Sequence, residues 1–413
     1  MSQPRSVVVV GGGLAAARAA EGLREEGFDG RVVIVGAEDE RPYERPPLSK
    51  GYLLGTDERE SVFAHPADWY VQHDVELVLR TRVTSVDLAA RAVTVPGGEL
   101  AYDALLLATG ASPRHLPAAP PGRRVGYLRT IGDSERIKAE LRPDRNVAII
   151  GGGWVGLEVA AAARSAGCQV VVLEAADRPL QRVLGAEVAD VFASLHTSHG
   201  VDLWTGVSVQ GVKEGPDGVT VRLEDGTSVR ADFLLVGVGA RPNTELAEAA
   251  GLDVDNGVVV DAYLRTSHPD VLAAGDVARA HHPRLDRHIR VEHWDNAIGQ
   301  GRAAARTILG TGAPYDRLPY FFTDQYDVGI EYVGDVGPDG YDDVVLRGDV
   351  PGRVFTAFWV RRGRVVAGMH MNDWDAIDGV RAVVDAGAVD LRALREGRAP
   401  LEELAATAVR PSP

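Results

Sequence analysis

The chain has 413 residues, 45% of them hydrophobic and 25% charged, the make-up of an ordinary globular protein with room for two or three domains. Its formal net charge of −15 argues against general binding to nucleic acid or to anionic membranes. The single cysteine, Cys168, excludes an intramolecular disulfide, a C-x-x-C redox pair and a cysteine-based metal site. No run is apolar enough to span a bilayer, and no leader pattern precedes the first strand, so a cytoplasmic protein is expected. No bound metal is expected.

The first elements lie in SVVVVGGGLAAARAAEGLRE, residues 6–25. Ser6 to Val10 reads as a strand buried in a parallel sheet, and the alanine-rich run from Leu14 as a helix. Gly11, Gly13 and Ala16 fit the dinucleotide fingerprint. Gly11 permits the tight turn, Gly13 lets a pyrophosphate approach the backbone, and Ala16 lets helix and strand pack closely. Leu14 and Ala15 open the helix whose unpaired N–H groups would face the phosphates. The next strand, RVVIVGAE, is expected to end at Glu38, about 20 residues on, where a ribose-binding acid belongs.

The prolines of DERPYERPPLSKGYLLG exclude a regular helix and make a stiff loop carrying Arg45 and Lys50. Such a loop could hold both side chains over a ligand or simply be solvated. Residues 58–103 read as a helix followed by short strands. YDALLLATGASPR then places a buried strand at Leu105 to Leu107. It ends in Ala108-Thr109-Gly110, small enough for a ligand to pass. The run HLPAAPPGRR breaks all regular structure and marks a first domain crossing.

NVAIIGGGWVGLEVAAAARSAGCQVVVLE repeats the opening unit, with glycine triplets starting at 11 and 151. Gly151, Gly153 and Gly156 complete G-x-G-x-x-G, and the following strand ends at Glu174. A carboxylate there accepts a ribose 2′-OH and repels a 2′-phosphate, which favours NADH; Arg178 and Arg182 leave room for NADPH. Two fingerprints in one chain imply two dinucleotides, and a flavin with a nicotinamide means hydride transfer. Glu158 is expected in the first helical turn, either as a favourable partner of the helix dipole or as a carboxylate at the flavin. Cys168 reads as a small packed hydrophobe.

Residues 200–236 read as strands, and Arg241-Pro242-Asn243 as a crossing back to the first domain. VLAAGD runs into Gly275-Asp276, where a strand-end carboxylate could take a ribitol hydroxyl. Arg279, Arg284, Arg287 and Arg290 are expected on an exposed basic hairpin. Glu292, His293 and Trp294 stand at the start of a helix with a small-residue face. From Pro314 antiparallel strands follow, then helices at 373–387 and 390–396, which together read as a small α+β domain.

In this order, VVVVGGGLA, RPYERPPLSK, LLLATG, VAIIGGGWVGLE, VLAAGDVA, VEHWDNAIGQG and LPYFFTDQYD resemble the FAD-dependent NADH:ferredoxin reductases over essentially the whole chain. These share the pyridine nucleotide-disulfide oxidoreductase fold and include the putidaredoxin, rubredoxin and biphenyl-dioxygenase reductases. The resemblance implies an α/β protein with two Rossmann-like dinucleotide-binding domains. A split FAD domain (1–112 and 241–314) would carry an inserted NAD domain (113–240), followed by a small C-terminal α+β domain (315–413). It implies that Gly11, Gly13 and Glu38 hold the adenosine and pyrophosphate side of FAD. Arg45 and Lys50 would lie against the flavin, Asp276 would bind its ribitol, and Glu158 would pair with Lys50. Gly151, Gly153, Gly156 and Glu174 would hold NADH, with Trp294 near the ring. Phe322 stands where the family often carries tryptophan. Ala37 stands where an acid is common, which leaves the ribose role to Glu38.

Related disulfide reductases and NADH peroxidases need a redox cysteine near the flavin, and YERPPLSK has none. Electrons are therefore expected to leave the flavin for a ferredoxin-type iron–sulfur protein of the 2Fe-2S or 3Fe-4S kind. That protein would in turn feed a cytochrome monooxygenase or a ring-hydroxylating oxygenase. A monomer or weak homodimer is expected. Candidate docking charges are Arg361, Arg362 and Arg364, or the Arg279–Arg290 hairpin. Two other readings stand beside this one: reduction of a small acceptor such as a quinone or ascorbate radical, and a non-catalytic NADH sensor.

Overall fold

The structure, a computed structural model, describes residues 4–407. The chain forms two compact units. One comprises the chain up to Pro47, Asp57–Ser112 and Ala240–Arg317; the other comprises Leu48–Thr56, Pro113–Gly239 and the chain from Leu318.

The first unit is built on a five-stranded parallel sheet in the order Val271–Ala273, Ala104–Leu107, Ser6–Val10, Arg31–Val35, Val75–Val78. Its central strands are buried on both faces, which is why they are unbroken runs of Val, Ile and Leu rather than alternating ones. The helix Leu14–Glu25 packs along the helix Trp294–Leu309. Small residues bring the two together: a Cβ on Gly301 would stand 2.5 Å from the Ala15 carbonyl oxygen, and one on Gly22 would stand 3.1 Å from Ala305 Cβ. A three-stranded antiparallel sheet, Ser85–Asp87, Ala92–Val95 and Gly98–Ala101, precedes the strand Ala104–Leu107.

The second unit repeats this plan. Its parallel sheet runs Val201–Trp204, Gln169–Leu173, Asn146–Ile150, Phe233–Val236, Val125–Gly126. A three-stranded antiparallel sheet, Val209–Gly215, Gly218–Leu223 and Ser228–Ala231, again precedes the fourth strand. The unit also holds the C-terminal antiparallel sheet, in the order Tyr320–Gln325, Val328–Gly334, Arg364–Met371, Val354–Arg361, Asp343–Asp349. One apolar cluster joins these parts: Leu157, Leu184, Val188 and Phe192 pack with Tyr332, Phe355 and Trp359. The Trp359 indole N–H donates to the Leu184 carbonyl at 3.1 Å.

Several sequence expectations move. The strand of RVVIVGAE ends at Val35, which leaves Glu38 in the loop beyond it. Glu158 lies in the second turn of the helix Trp154–Ser165, too far in for the dipole of the first turn to account for it. The first C-terminal helix is shorter than expected, Ile377–Ala386, and a third helix follows Leu391–Glu396 at Leu401–Ala406. Ala278–His282 and Arg287–Ile289 do form a hairpin. Of its four arginines only Arg284 is exposed, because Arg279 turns to Asp255 and Arg290 to Glu292.

Candidate functional site

The glycines of the first fingerprint are needed for different reasons. Gly11 has φ +124°, and a Cβ on it would sit 2.0 Å from the Ala108 carbonyl oxygen, so the chain itself demands glycine there. Gly13 has φ −95°, and a Cβ on it would meet no atom within 4 Å. Neither packing nor backbone strain requires glycine at that position. The helix beginning at Leu14 has no side-chain cap, so its first N–H groups face the same open space. A dinucleotide phosphate fits this cradle in shape and in charge.

The second fingerprint repeats the pattern. Gly151 has φ +102°, with a Cβ that would lie 2.4 Å from the Gly237 carbonyl oxygen. A Cβ on Gly156 would stand 2.0 Å from the Gly151 carbonyl oxygen. Gly153 again opens onto nothing, at the uncapped start of the helix Trp154–Ser165.

Around the first cradle, Tyr43 donates its hydroxyl to Glu38 at 2.5 Å and Arg45 donates to the other Glu38 oxygen at 3.1 Å. Burial opposes the Arg45 charge, but Tyr43, Glu38 and Asp276 around it outweigh that and push its pKa up. Gly275 packs against Ala15, which brings Asp276 to the start of the helix Leu14–Glu25. The buried Gln300 accepts from the Gly275 N–H at 2.9 Å. Arg290 reaches the Asp276 carbonyl at 3.3 Å and pairs with Glu292. His293 caps the next helix by accepting from the Asp295 N–H, and Trp294 packs against the core of this unit. Ala108 follows the strand Ala104–Leu107 within the core, and Thr109 and Gly110 are tied by Asn243. Thr109 donates to the Asn243 carbonyl at 2.7 Å, and the Asn243 amide returns a bond to the Thr109 carbonyl at 2.8 Å. Gln300 was missed from sequence, while Arg290 was read only as a hairpin charge and Asn243 only as part of a chain crossing.

In the second unit Glu174 is held by backbone alone. Its oxygens accept from the Gly152 N–H at 2.5 Å and the Ala176 N–H at 2.7 Å. Each oxygen keeps a further lone pair for a ribose hydroxyl. Arg178 is drawn to Asp190 at 2.6 Å, while Arg182 is exposed.

The same unit gathers a second group of side chains. Lys50 donates to Glu158 at 2.7 Å, and its ammonium stands 5.6 Å from the centre of the Phe322 ring. Glu158, buried, also accepts from Ser49 and, at 2.6 Å, from Thr323. Cys168 is fully buried, and burial pushes its thiol pKa up, so it has neither the access nor the thiolate that redox exchange needs. Among the described residues, no helix is long and apolar enough to cross a membrane.

Known proteins share this arrangement. The family model for pyridine nucleotide-disulphide oxidoreductases matches residues 5–301, and a reductase C-terminal model matches residues 320–405. The chain is 37% identical to putidaredoxin reductase of Pseudomonas putida, over 99% of this chain and 98% of that protein. It is 40% identical to the ferredoxin–NAD(+) reductase component of an anthranilate 1,2-dioxygenase system of Burkholderia cepacia, over 92% and 94%. Its structure is similar to the reductase in a crystallised covalent putidaredoxin reductase–putidaredoxin complex, with a TM-score of 0.94, 38% identity and 98% and 99% of the two chains covered. The chain belongs to the pyridine nucleotide-disulphide oxidoreductase family, and is a flavoprotein oxidoreductase that works with FAD and NAD(H).

Proposed function

We propose that the protein is an NADH:ferredoxin reductase that passes electrons to an iron–sulfur ferredoxin serving an oxygenase. The observation that carries this reading is the pair of open glycines, Gly13 and Gly153, each at an uncapped helix start, in a chain whose one cysteine is buried. Two dinucleotides fit the chain, and no thiol is placed to take electrons from either.

The chemistry that a bound FAD would supply is hydride acceptance from NADH and one-electron release. The residues of this chain bind and orient. The Gly11–Ala15 turn would take the FAD pyrophosphate, Glu38 its ribose, and Asp276 its ribitol. Arg45 holds Glu38 in place for that role. The Gly151–Gly156 turn and Glu174 would take NADH. Lys50 and Glu158 would face the flavin as a fixed cation and carboxylate that tune its electronics, with Phe322 below the ammonium. Arg362 and Arg364, both exposed beside the Gly363 turn, are candidate docking charges for an acidic ferredoxin.

An anaerobic titration of the purified yellow protein tests the core of this reading. NADH should bleach the flavin stoichiometrically and NADPH only weakly, and electrons should then reach a ferredoxin at a rate that falls with salt. No bleaching by either nucleotide, with FAD bound, would remove the nicotinamide site. Rapid turnover with a quinone and none with any ferredoxin would instead favour the small-acceptor reading. Replacing Glu158 by Gln should slow the NADH bleaching.

A further inference from the structure

A buried line of polar side chains starts at Glu158 and leads away from Lys50. Thr323 donates to the Glu158 Oε1 at 2.6 Å. Gln325 donates through Nε2 to the Thr323 Oγ1 at 3.3 Å. The Gln325 Oε1 meets the His196 Nε2 at 2.8 Å, and Tyr326 places its hydroxyl 3.4 Å from the His196 Nδ1. Glu158, Thr323, Gln325 and His196 are 6%, 1%, 2% and 0% exposed. The strand Tyr320–Gln325 accounts for two members, because its alternation turns Thr323 and Gln325 to the same buried face. The helix Gln181–Ser198 supplies His196.

The direction of every bond follows from the carboxylate end. A carboxylate only accepts, so the Thr323 hydroxyl must donate to it. Its oxygen is then the acceptor for an amide N–H, which turns the Gln325 Nε2 toward Thr323 and its Oε1 toward His196. The Oε1 requires a donor, so His196 carries its proton on Nε2 and leaves Nδ1 to accept from the Tyr326 hydroxyl. The histidine suits this part: burial pushes its pKa down to about 4, so the neutral ring offers one donor and one acceptor. Burial likewise pushes the Tyr326 pKa up, which keeps its phenol a donor.

We propose that Thr323, Gln325 and His196 are positioning residues for the Lys50–Glu158 pair, forming a one-way hydrogen-bond chain that sets the orientation of the Glu158 carboxylate. A buried carboxylate held by donors on fixed backbone cannot rotate away from its cation, and a low-dielectric surrounding makes each such bond costly to lose. The proposal rests on the reading that Lys50 and Glu158 act on the flavin.

The test uses the FAD-loaded protein with Thr323→Val, Thr323→Ser, Gln325→Leu and Glu158→Gln. The readouts are the flavin absorption spectrum, its midpoint potential, the anaerobic stopped-flow bleaching rate with NADH, and the melting temperature. Thr323→Val keeps the shape and removes the donor. It should slow bleaching about tenfold and shift the potential, whereas Thr323→Ser restores both. Gln325→Leu, one bond further back, should move both readouts in the same direction, with about a threefold slowing. Should Thr323→Val fail to retain FAD, the Gln325→Leu comparison carries the same test. Lower melting temperatures with parental spectrum, potential and bleaching would reduce these residues to packing and overturn the proposal. If Glu158→Gln alters the flavin while Thr323→Val and Gln325→Leu do not, the chain falls and the role of the pair stands. If Glu158→Gln also leaves the flavin unchanged, the reading of the pair falls and the chain with it.

Discussion

Glu38 lies three residues past the strand Arg31–Val35 and Glu174 directly after the strand Gln169–Leu173, and the two acids are held by different means. Glu38 is gripped by two side chains, Tyr43 and Arg45, from a loop stiffened by proline. Glu174 is gripped by the backbone N–H groups of Gly152 and Ala176 and by no side chain among these bonds. An acid held by side chains can be loosened one partner at a time. An acid held by the glycine turn is part of that turn, so changing it also disturbs the loop that would hold the phosphates. The two sheets show a parallel contrast. Their first four strands follow one order, but the fifth comes from later in the chain in one unit, Val271–Ala273, and from earlier in the other, Val125–Gly126.

The sharpest way to break the likeness between the two loops is at their glycines. Gly11→Ala puts a Cβ into the Ala108 carbonyl at a positive φ and should cost about 4 kcal/mol or more, seen as loss of folded protein on expression. Gly13→Ala should leave the melting temperature of the FAD-free protein nearly unchanged and yet purify with little flavin. Gly153→Ala should keep its flavin and raise the KM for NADH about tenfold. Equal effects of Gly11→Ala and Gly13→Ala on folding would contradict the division between a structural and a ligand-facing glycine.

The next effect in size separates the two acids. Glu174→Arg leaves two backbone N–H groups without their acceptor and should destabilise the protein by about 2 kcal/mol, while weakening NADH use and improving that of NADPH. Arg45→Met should change stability by less than about 1 kcal/mol and act instead on FAD retention. Chemical denaturation and coenzyme kinetics on the two variants decide this. An unchanged coenzyme preference in Glu174→Arg would remove Glu174 from the ribose.

The pH-dependent effect lies in the second unit alone. His196 has its pKa lowered by burial from 6.5 to about 4. Between those values the unfolded chain binds a proton that the folded one does not. Stability is therefore complete above about pH 6.5 and is lost as pH falls toward 4, by roughly 1 kcal/mol per pH unit. Melting curves from pH 7 to pH 5 should show a fall that is shallower in His196→Gln. Parallel curves for the two proteins would place the proton elsewhere.

Much of the site was legible because its signals are local. A glycine at positive φ between a β-branched strand and an alanine-rich helix is a demand made by neighbouring residues, and both fingerprints met it. The end of a strand is less local: Glu38 was placed on the strand and lies past it, because pairing with the strand Ser6–Val10 runs out at Val10 opposite Val35. The arginine hairpin was read as exposed, and two of its four charges, Arg279 and Arg290, are taken up by Asp255 and Glu292, which no spacing announced.

By itself the sequence determined the two βαβ units, their glycine turns, the acids that follow them and the antiparallel character of the C-terminal part. All of these depend on backbone conformation and on burial patterns that repeat over a few residues. Tertiary structure decided which distant groups meet. Lys50 lies on a proline-rich loop whose chain neighbours belong to the first unit, yet its segment Leu48–Thr56 packs in the second, where it reaches Glu158 across 108 residues. Thr323 reaches the same carboxylate across 165 residues. Such contacts are set by how strands and helices stack once apolar faces are buried, and a hydroxyl or an ammonium carries no local mark of the carboxylate it will meet.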